Sequence, residues 1–369
     1  MTDDAIAAVD CMSVRLPLGR PLWAAGLEIV ARDFFIVRVR TASGRAGYGF
    51  VKSRGVRLDA IVAENLAPLL IGRDPRRTEA LWHAMMRATV LPGRAGAVLR
   101  AIGCVDIALW DLKAQLAGEP LFRLLGGAKD RARAMAVTGY YEREPDETGP
   151  MHESLAAMRA SGFTMFKIAG GMLSAAREAP RLAAAREAIG TGAELVVDVN
   201  WCWTDLKAAL ATARDWAAFD LSWIEEPFAP GSNAQIRAMV AQSPVRIGVG
   251  DEQGGLAFFR DLMASESVDV VRLDTAVAGG ITPALRIIAL AEAHGLPVSP
   301  HLYHEINVHL ATAFETVIAV ELFPPGGELY QIDRFLRTET RVENGHLVPS
   351  GEPGLGFDPD WAALEAHRY

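Results

Sequence analysis

Five short apolar runs, each ending on an acidic residue, recur between Leu195 and Glu321, and no other feature constrains the chain as much. They are Leu195 to Asp198, Leu221 to Glu225, Ile247 to Asp251, Val270 to Asp274 and Val317 to Glu321. The first four acids stand 27, 26 and 23 residues apart, about one strand, turn, helix and returning turn. A sixth run, Leu296 to Pro300, ends on His301. In a closed parallel barrel all strand C-termini open on one face, so these side chains converge on a single mouth. Carboxylates brought together repel one another, and a hard divalent cation with oxygen ligands relieves that repulsion.

A chain of 369 residues exceeds a usual single core, so a barrel plus a second domain is expected. The net charge of -8 provides no basic footprint for nucleic acid and no polybasic segment for anionic lipid. It also repels anionic substrates, which local cations in a pocket must therefore hold. The three cysteines, Cys11, Cys104 and Cys202, are odd in number and widely spaced, as expected of reduced thiols in a cytoplasmic enzyme. The start, Met1-Thr2-Asp3-Asp4, lacks a signal-peptide pattern, and no apolar run approaches the roughly 20 residues that span a bilayer.

Residues 1–130 do not follow the barrel rhythm and read as an α+β capping domain. Phe34 to Arg40 and Ala46 to Val51 predict a hairpin; 58–70, 76–88 and 98–117 carry helical spacing, the last closed by Gly118 and Pro120. Strands are expected at 134–138, 163–168, 194–199, 221–225, 246–250, 268–273, 296–300 and 317–321, within a barrel domain of 131–325. The remainder, 326–369, reads as turns and a short hairpin at Asn344-Gly345, packing back on the capping domain.

Alternation along a strand turns Val196, Asp198 and Asn200 inward, and likewise Met165, Lys167 and Ala169. A buried lysine needs a partner, which marks Lys167 as a site residue. Asp198, Glu225 and Asp251 are the expected metal ligands, with Mg²⁺ favoured because the set is all oxygen. Glu226 and Glu252 are adjacent, but alternation points them elsewhere; Asn200 supports the ligand set. Asp274 and His301 lie on neighbouring strands, suiting a carboxylate that orients an imidazole and raises its basicity.

Several ordered motifs now become specific: Asp198-Val199-Asn200, Trp223-Ile224-Glu225-Glu226-Pro227, Gly250-Asp251-Glu252, Asp274 with Ala278-Gly279-Gly280-Ile281-Thr282, and Ser299-Pro300-His301-Leu302. With Asp106 to Leu112, Leu124-Leu125-Gly126-Gly127 and Pro353 to Phe357, the chain resembles the mandelate racemase subgroup of the enolase superfamily over nearly its whole length. The resemblance implies a modified (β/α)7β TIM-type barrel capped by the N-terminal α+β domain. It also implies a Mg²⁺ site that holds a substrate carboxylate while the adjacent proton is removed. By position Glu321 matches the acid that hydrogen-bonds the resulting enediolate, a role that requires it to be protonated.

One departure changes the expected reaction. The family's second strand usually carries Lys-x-Lys, and here it reads Lys167-Ile168-Ala169, so the base on the opposite face is missing. Inversion needs a proton donor on each face, whereas syn dehydration needs one residue that acts as base and then acid. The favoured reading is dehydration of an acid sugar, aldonate or aldarate, to a 2-keto-3-deoxy acid by His301. The alternatives are a racemase or epimerase, and a non-catalytic protein that binds metal and acid. Lid loops at 17–26 and 50–57 are expected to set substrate choice; Arg54 in the second, Tyr140 after the first barrel strand and Asn200 are the candidates for substrate contact, and a homo-oligomer is expected.

Overall fold

β-Branched and aromatic residues are concentrated from Phe34 to Thr41, and the chain opens on three antiparallel strands, Ile6–Ala24 (β1), Leu27–Thr41 (β2) and Ala46–Lys52 (β3), in the order β1-β2-β3. The structure, a computed structural model, describes residues 4–24, 26–141, 148–324, 327, 329–338 and 340–369. The expected boundary at 325/326 lies outside the described residues. The hairpin read from the sequence is the β2–β3 pair; β1, not anticipated, is the longest strand and extends through part of the stretch expected to be a lid loop.

Helix Thr78–Ala88 (α1) packs against Ala97–Ala117 (α2), and α2 covers the sheet on β2 and β3. Helix α2 ends on Gly118 in the left-handed conformation (φ 72), as its sequence predicts. A glycine lets α2 approach the barrel: a Cβ on Gly103 would overlap the carbonyl oxygen of Ala276, in the loop after Asp274.

The alternation then begins. Ala132–Thr138 (β4), Gly149–Ala160 (α3), Met165–Ala169 (β5), Ala175–Ile189 (α4), Glu194–Asp198 (β6), Leu206–Trp216 (α5), Leu221–Glu225 (β7) and Asn233–Gln242 (α6) follow in order. Ile247–Val249 (β8), Leu256–Ala264 (α7), Val270–Val271 (β9), Ile281–Ala293 (α8), His304–Ala313 (α9) and Val320–Leu322 (β10) complete the series. Parallel pairing runs β4-β5-β6-β7-β8-β9, passes from Val271 to Val298 and from Val298 to Val317 through single bridges, and returns from β10 to β4. The strand expected at 296–300 is thus reduced to one bridging residue. Pro297 and Pro300 remove the N–H donors a longer ladder would need. With α9 between that residue and β10, the architecture is the modified (β/α)7β barrel with a capping domain.

Inside the ring, alternation sets the residues in layers. Met135, Met165, Val196, Trp223, Val270 and Ala319 form an apolar plug. One inward step further along the same strands, about 6.6 Å by strand rise, come Lys167, Asp198, Glu225, Arg272 and Glu321.

After residue 330, Leu336–Thr338 (β11) pairs with Phe357–Pro359 (β14), and Arg341–Glu343 (β12) with His346–Val348 (β13). The latter hairpin turns on Asn344 (φ 48) and Gly345 (φ 72) and adds β13 to the outer edge of β4. The end of the chain returns to β1, where Tyr369 N–H donates to the carbonyl of Ser13 at 3.2 Å. No described helix is long and apolar enough to cross a membrane.

Buried His309 on α9 ties three parts together: Nδ1 accepts the Phe122 N–H at 3.2 Å and Nε2 donates to the Leu355 carbonyl at 3.0 Å. Burial pushes this imidazole down to about 4. It therefore stays neutral in the fold, whereas the unfolded chain takes up a proton near pH 6.5. Its stabilisation is present above that pH and is lost as pH falls from about 6.5 towards 4. Urea unfolding of His309→Gln at pH 7.5 and 4.5 is expected to give a lower stability at the first pH and a smaller acid-induced drop than wild type. Gly103→Ala is expected to cost about 2 kcal/mol or more, because the helix and the 274–280 loop must separate, and thermal unfolding measures it.

Candidate active site

Each side chain of the mouth stands where a barrel strand ends. Asp198 closes β6, Glu225 closes β7 and Asp251 follows β8; oxygens of the three carboxylates lie within 4.8 Å of one another, all buried. Their surroundings separate them. Burial pushes Asp198 up to about 6 despite Lys167, and pushes Asp251 well above the usual carboxylate range. Glu225 is driven up by burial too, but Arg272 and Lys167 outweigh that and hold it below its ordinary value.

Two cations share the layer of these carboxylates. Lys167 Nζ lies 2.9 Å from Asp198 Oδ2 and 2.7 Å from Glu321 Oε1, and also donates to Glu225 Oε1. Arg272, fully buried, donates through Nη1 to the Ser299 carbonyl and Oγ, each at 2.7 Å, and through Nη2 to Glu321. Its Nε is 2.8 Å from Glu225 Oε2, although the N–H is not aimed at that oxygen. Trp223 Nε1 donates to the same oxygen at 3.0 Å. One carboxylate oxygen has no such partner: Asp251 Oδ1 is buried without a hydrogen bond.

Glu321 joins this layer: Oε1 takes donors from Lys167 and Arg272, and Oε2 accepts the Leu302 N–H at 3.1 Å. The sequence reading did not include Arg272. That residue was legible in principle: it sits two positions before Asp274 and shares its face.

His301 faces this cluster. Nδ1 is 2.8 Å from Asp274 Oδ2, and Asp274 Oδ1 accepts the Val277 N–H at 2.9 Å, which fixes the carboxylate. Burial and the charges of Lys167 and Arg272 push the imidazole well below its ordinary value, so it is neutral. Its Nε2, 3.6 Å from Asp251 Oδ2, therefore presents a lone pair towards the mouth. Burial raises Asp274 to about 6.

The remaining expected contacts divide. Asn200 donates its N–H to Asp198 Oδ1 at 2.9 Å and its Nδ2 to the Asp198 carbonyl at 3.1 Å, so it buttresses that carboxylate. Tyr140 and Arg54 both border the cavity above Asp198, Asp251 and His301. Arg54, however, is committed to Glu252, with Nε at 3.0 Å and Nη2 at 2.5 Å, and Arg100 from α2 grips the other oxygen of the same carboxylate. Glu226 points away from the cluster and accepts the N–H groups of Gly250 and Asp251 at 2.6 and 2.7 Å. Ala169 lies beside Asp198 in the ladder, leaving no proton-bearing group at that inward position. Sequence reasoning missed Arg32 and Lys52, which border the same cavity from the capping sheet.

This constellation has relatives. The family model for the mandelate racemase / muconate lactonizing enzyme N-terminal domain matches residues 6–126, and that for the enolase C-terminal domain-like family matches 150–363. The L-talarate/galactarate dehydratase of Salmonella typhimurium is 29% identical over 364 residues, covering 96% of this chain and 89% of that protein. The arabinonate dehydratase of Saccharolobus solfataricus is 30% identical over 339 residues, covering 90% and 88%. The crystal structure of L-talarate dehydratase from Polaromonas, complexed with Mg and L-glucarate, superposes with a TM-score of 0.89 at 30% identity, covering 99% of this chain and 97% of that one. Both domain matches, and the order in which barrel and cap occur, lead to one statement: the chain belongs to the mandelate racemase/muconate lactonizing enzyme family of the enolase superfamily.

Proposed function

We propose that the protein is a Mg²⁺-dependent dehydratase of acid sugars, converting an aldonate or aldarate to a 2-keto-3-deoxy acid. The observation that carries this reading is a neutral imidazole, anchored by Asp274, facing three buried carboxylates, with Ala169 at the inward position beside Asp198 where a second lysine would stand. The carboxylates suit a hard cation. Their donor set is all oxygen, it is drawn from three strand ends, and the unpartnered Asp251 Oδ1 lies within it. Bound by Asp198, Glu225 and Asp251, Mg²⁺ supplies positive charge beside the substrate carboxylate and makes the neighbouring proton more acidic.

The chain's own residues do the rest. His301 Nε2 takes the proton from the carbon next to the carboxylate, while Asp274 holds Nδ1–H and stabilises the imidazolium. The same imidazolium then returns that proton to the hydroxyl leaving the next carbon on the same side. Water departs, and the resulting enol rearranges to the keto acid. Asn200 keeps Asp198 oriented. Lys167 and Arg272 supply counter-charge to Asp198 and Glu225 and hold them in register. Dehydratases among the relatives support the same chemistry, as does the bound Mg of the Polaromonas structure. Ala169 weighs against inversion, since nothing at that position protonates the opposite face.

Incubation with Mg²⁺ and an acid-sugar panel in D₂O tests the proposal. Keto acid is expected from at least one sugar, chelation should abolish it, and His301→Asn should lower the rate about 10²- to 10⁴-fold. Deuterium entering recovered substrate with inversion, without loss of water, would instead favour a racemase. Arg272→Met should destabilise the metal-free protein by about 3 kcal/mol in urea unfolding, because it leaves Glu225 and Glu321 short of a partner.

A further inference from the structure

Two cations of the capping sheet reach the cavity and take no part in the chemistry above. Phe34 on β2 pairs with Lys52 on β3, so Arg32, two residues before Phe34, lies on the same face as Lys52 and diagonal to it. Both are buried, at 3% and 7% exposure, and both border the cavity whose barrel side carries Asp198, Asp251 and His301.

Neither has an anionic partner among the described residues. Arg32 Nε is fixed on the Leu329 carbonyl at 2.9 Å, while Nη2 is buried with no hydrogen bond. Lys52 is anchored through its backbone: the N–H donates to Tyr303 Oη at 2.9 Å and the carbonyl accepts Arg100 Nη1 at 3.0 Å. Its ammonium makes no ion pair among the described residues. Elsewhere in this protein buried cations are matched, Lys167 and Arg272 by three carboxylates and Arg100 by Glu252. Arg54, the third cation bordering the cavity, is also bound to Glu252.

Resting on the acid-sugar reading above, we infer that Arg32 and Lys52 form the subsite for a second, distal carboxylate, so that the substrate is an aldarate rather than an aldonate. One end of the acid lies at the three barrel carboxylates and their cation, and the far end meets the guanidinium and ammonium of the lid. Burial drives both lid groups below their ordinary values, and Arg32 and Arg54 push Lys52 further down, a mutual repulsion that an anion between them removes. An aldonate puts a neutral hydroxymethyl group there and leaves a buried charge unpaired, which is the basis for rejecting it. The fixed Nε of Arg32 means that little freedom of that side chain is lost on binding.

Calorimetric titration of the Mg²⁺-loaded protein tests this with aldarates, the aldonates of matching length and configuration, and those aldonates phosphorylated on the terminal hydroxyl. The best aldarate should bind roughly 30-fold or more tightly than its aldonate. In Arg32→Met and Lys52→Met the ratio should fall to within about threefold, and Arg32→Lys should keep part of it. Equal binding of aldarate and aldonate by wild type overturns the inference, as does tighter binding of the phosphorylated acid or an unchanged ratio in the variants. Should a variant fail to fold by circular dichroism, the wild-type ratio decides alone. Exchange of the proton next to the carboxylate in D₂O reads the dehydratase proposal separately. Preference without exchange sinks that proposal and keeps the subsite; exchange without preference does the reverse.

Discussion

A layer of opposite charges buried inside the barrel governs this structure. Lys167 and Arg272 are enclosed by Asp198, Glu225, Asp251 and Glu321, directly above an apolar plug. Moving such ions out of water costs several kcal/mol each, and only close, multiply bonded geometry offsets it. The geometry comes from the strands. Five of them place one charged side chain a single inward step above an apolar one, so the register of the barrel and the electrostatics of its mouth are the same fact. A slip of one residue in any of these five would turn a charge into the helical shell and an outward side chain into the site.

Much of this was legible before any coordinates. The spacing of the acids marked the repeating unit, and alternation pointed Lys167, Asp198 and Ala169 inward. The missing second lysine was visible in the letters themselves. What was not legible depends on closure. Arg272 lies on a predicted strand and on the right face, but its effect on Glu321 appears only when residues 49 positions apart meet across the barrel.

The capping domain was harder to read still. Arg32 and Lys52 sit in strands whose sequence resembles any half-buried sheet, and their importance follows from which end of the barrel that sheet covers. Arg54 looked more exposed to substrate than it is, because Glu252 beside Asp251 was set aside as facing elsewhere. It does face elsewhere, and what it faces is the lid: Arg54 and Arg100 both close on it.

That shared carboxylate has a practical meaning for domain exchange. Glu252 is the next residue after Asp251, so the barrel's grip on the cap is one peptide bond from the carboxylate cluster. A cap grafted from a relative would have to carry arginines equivalent to Arg54 and Arg100. Without them the graft would strand a carboxylate at the rim and loosen the backbone that aims its neighbour. Cap and barrel in this protein are therefore better swapped as a matched pair than as independent modules.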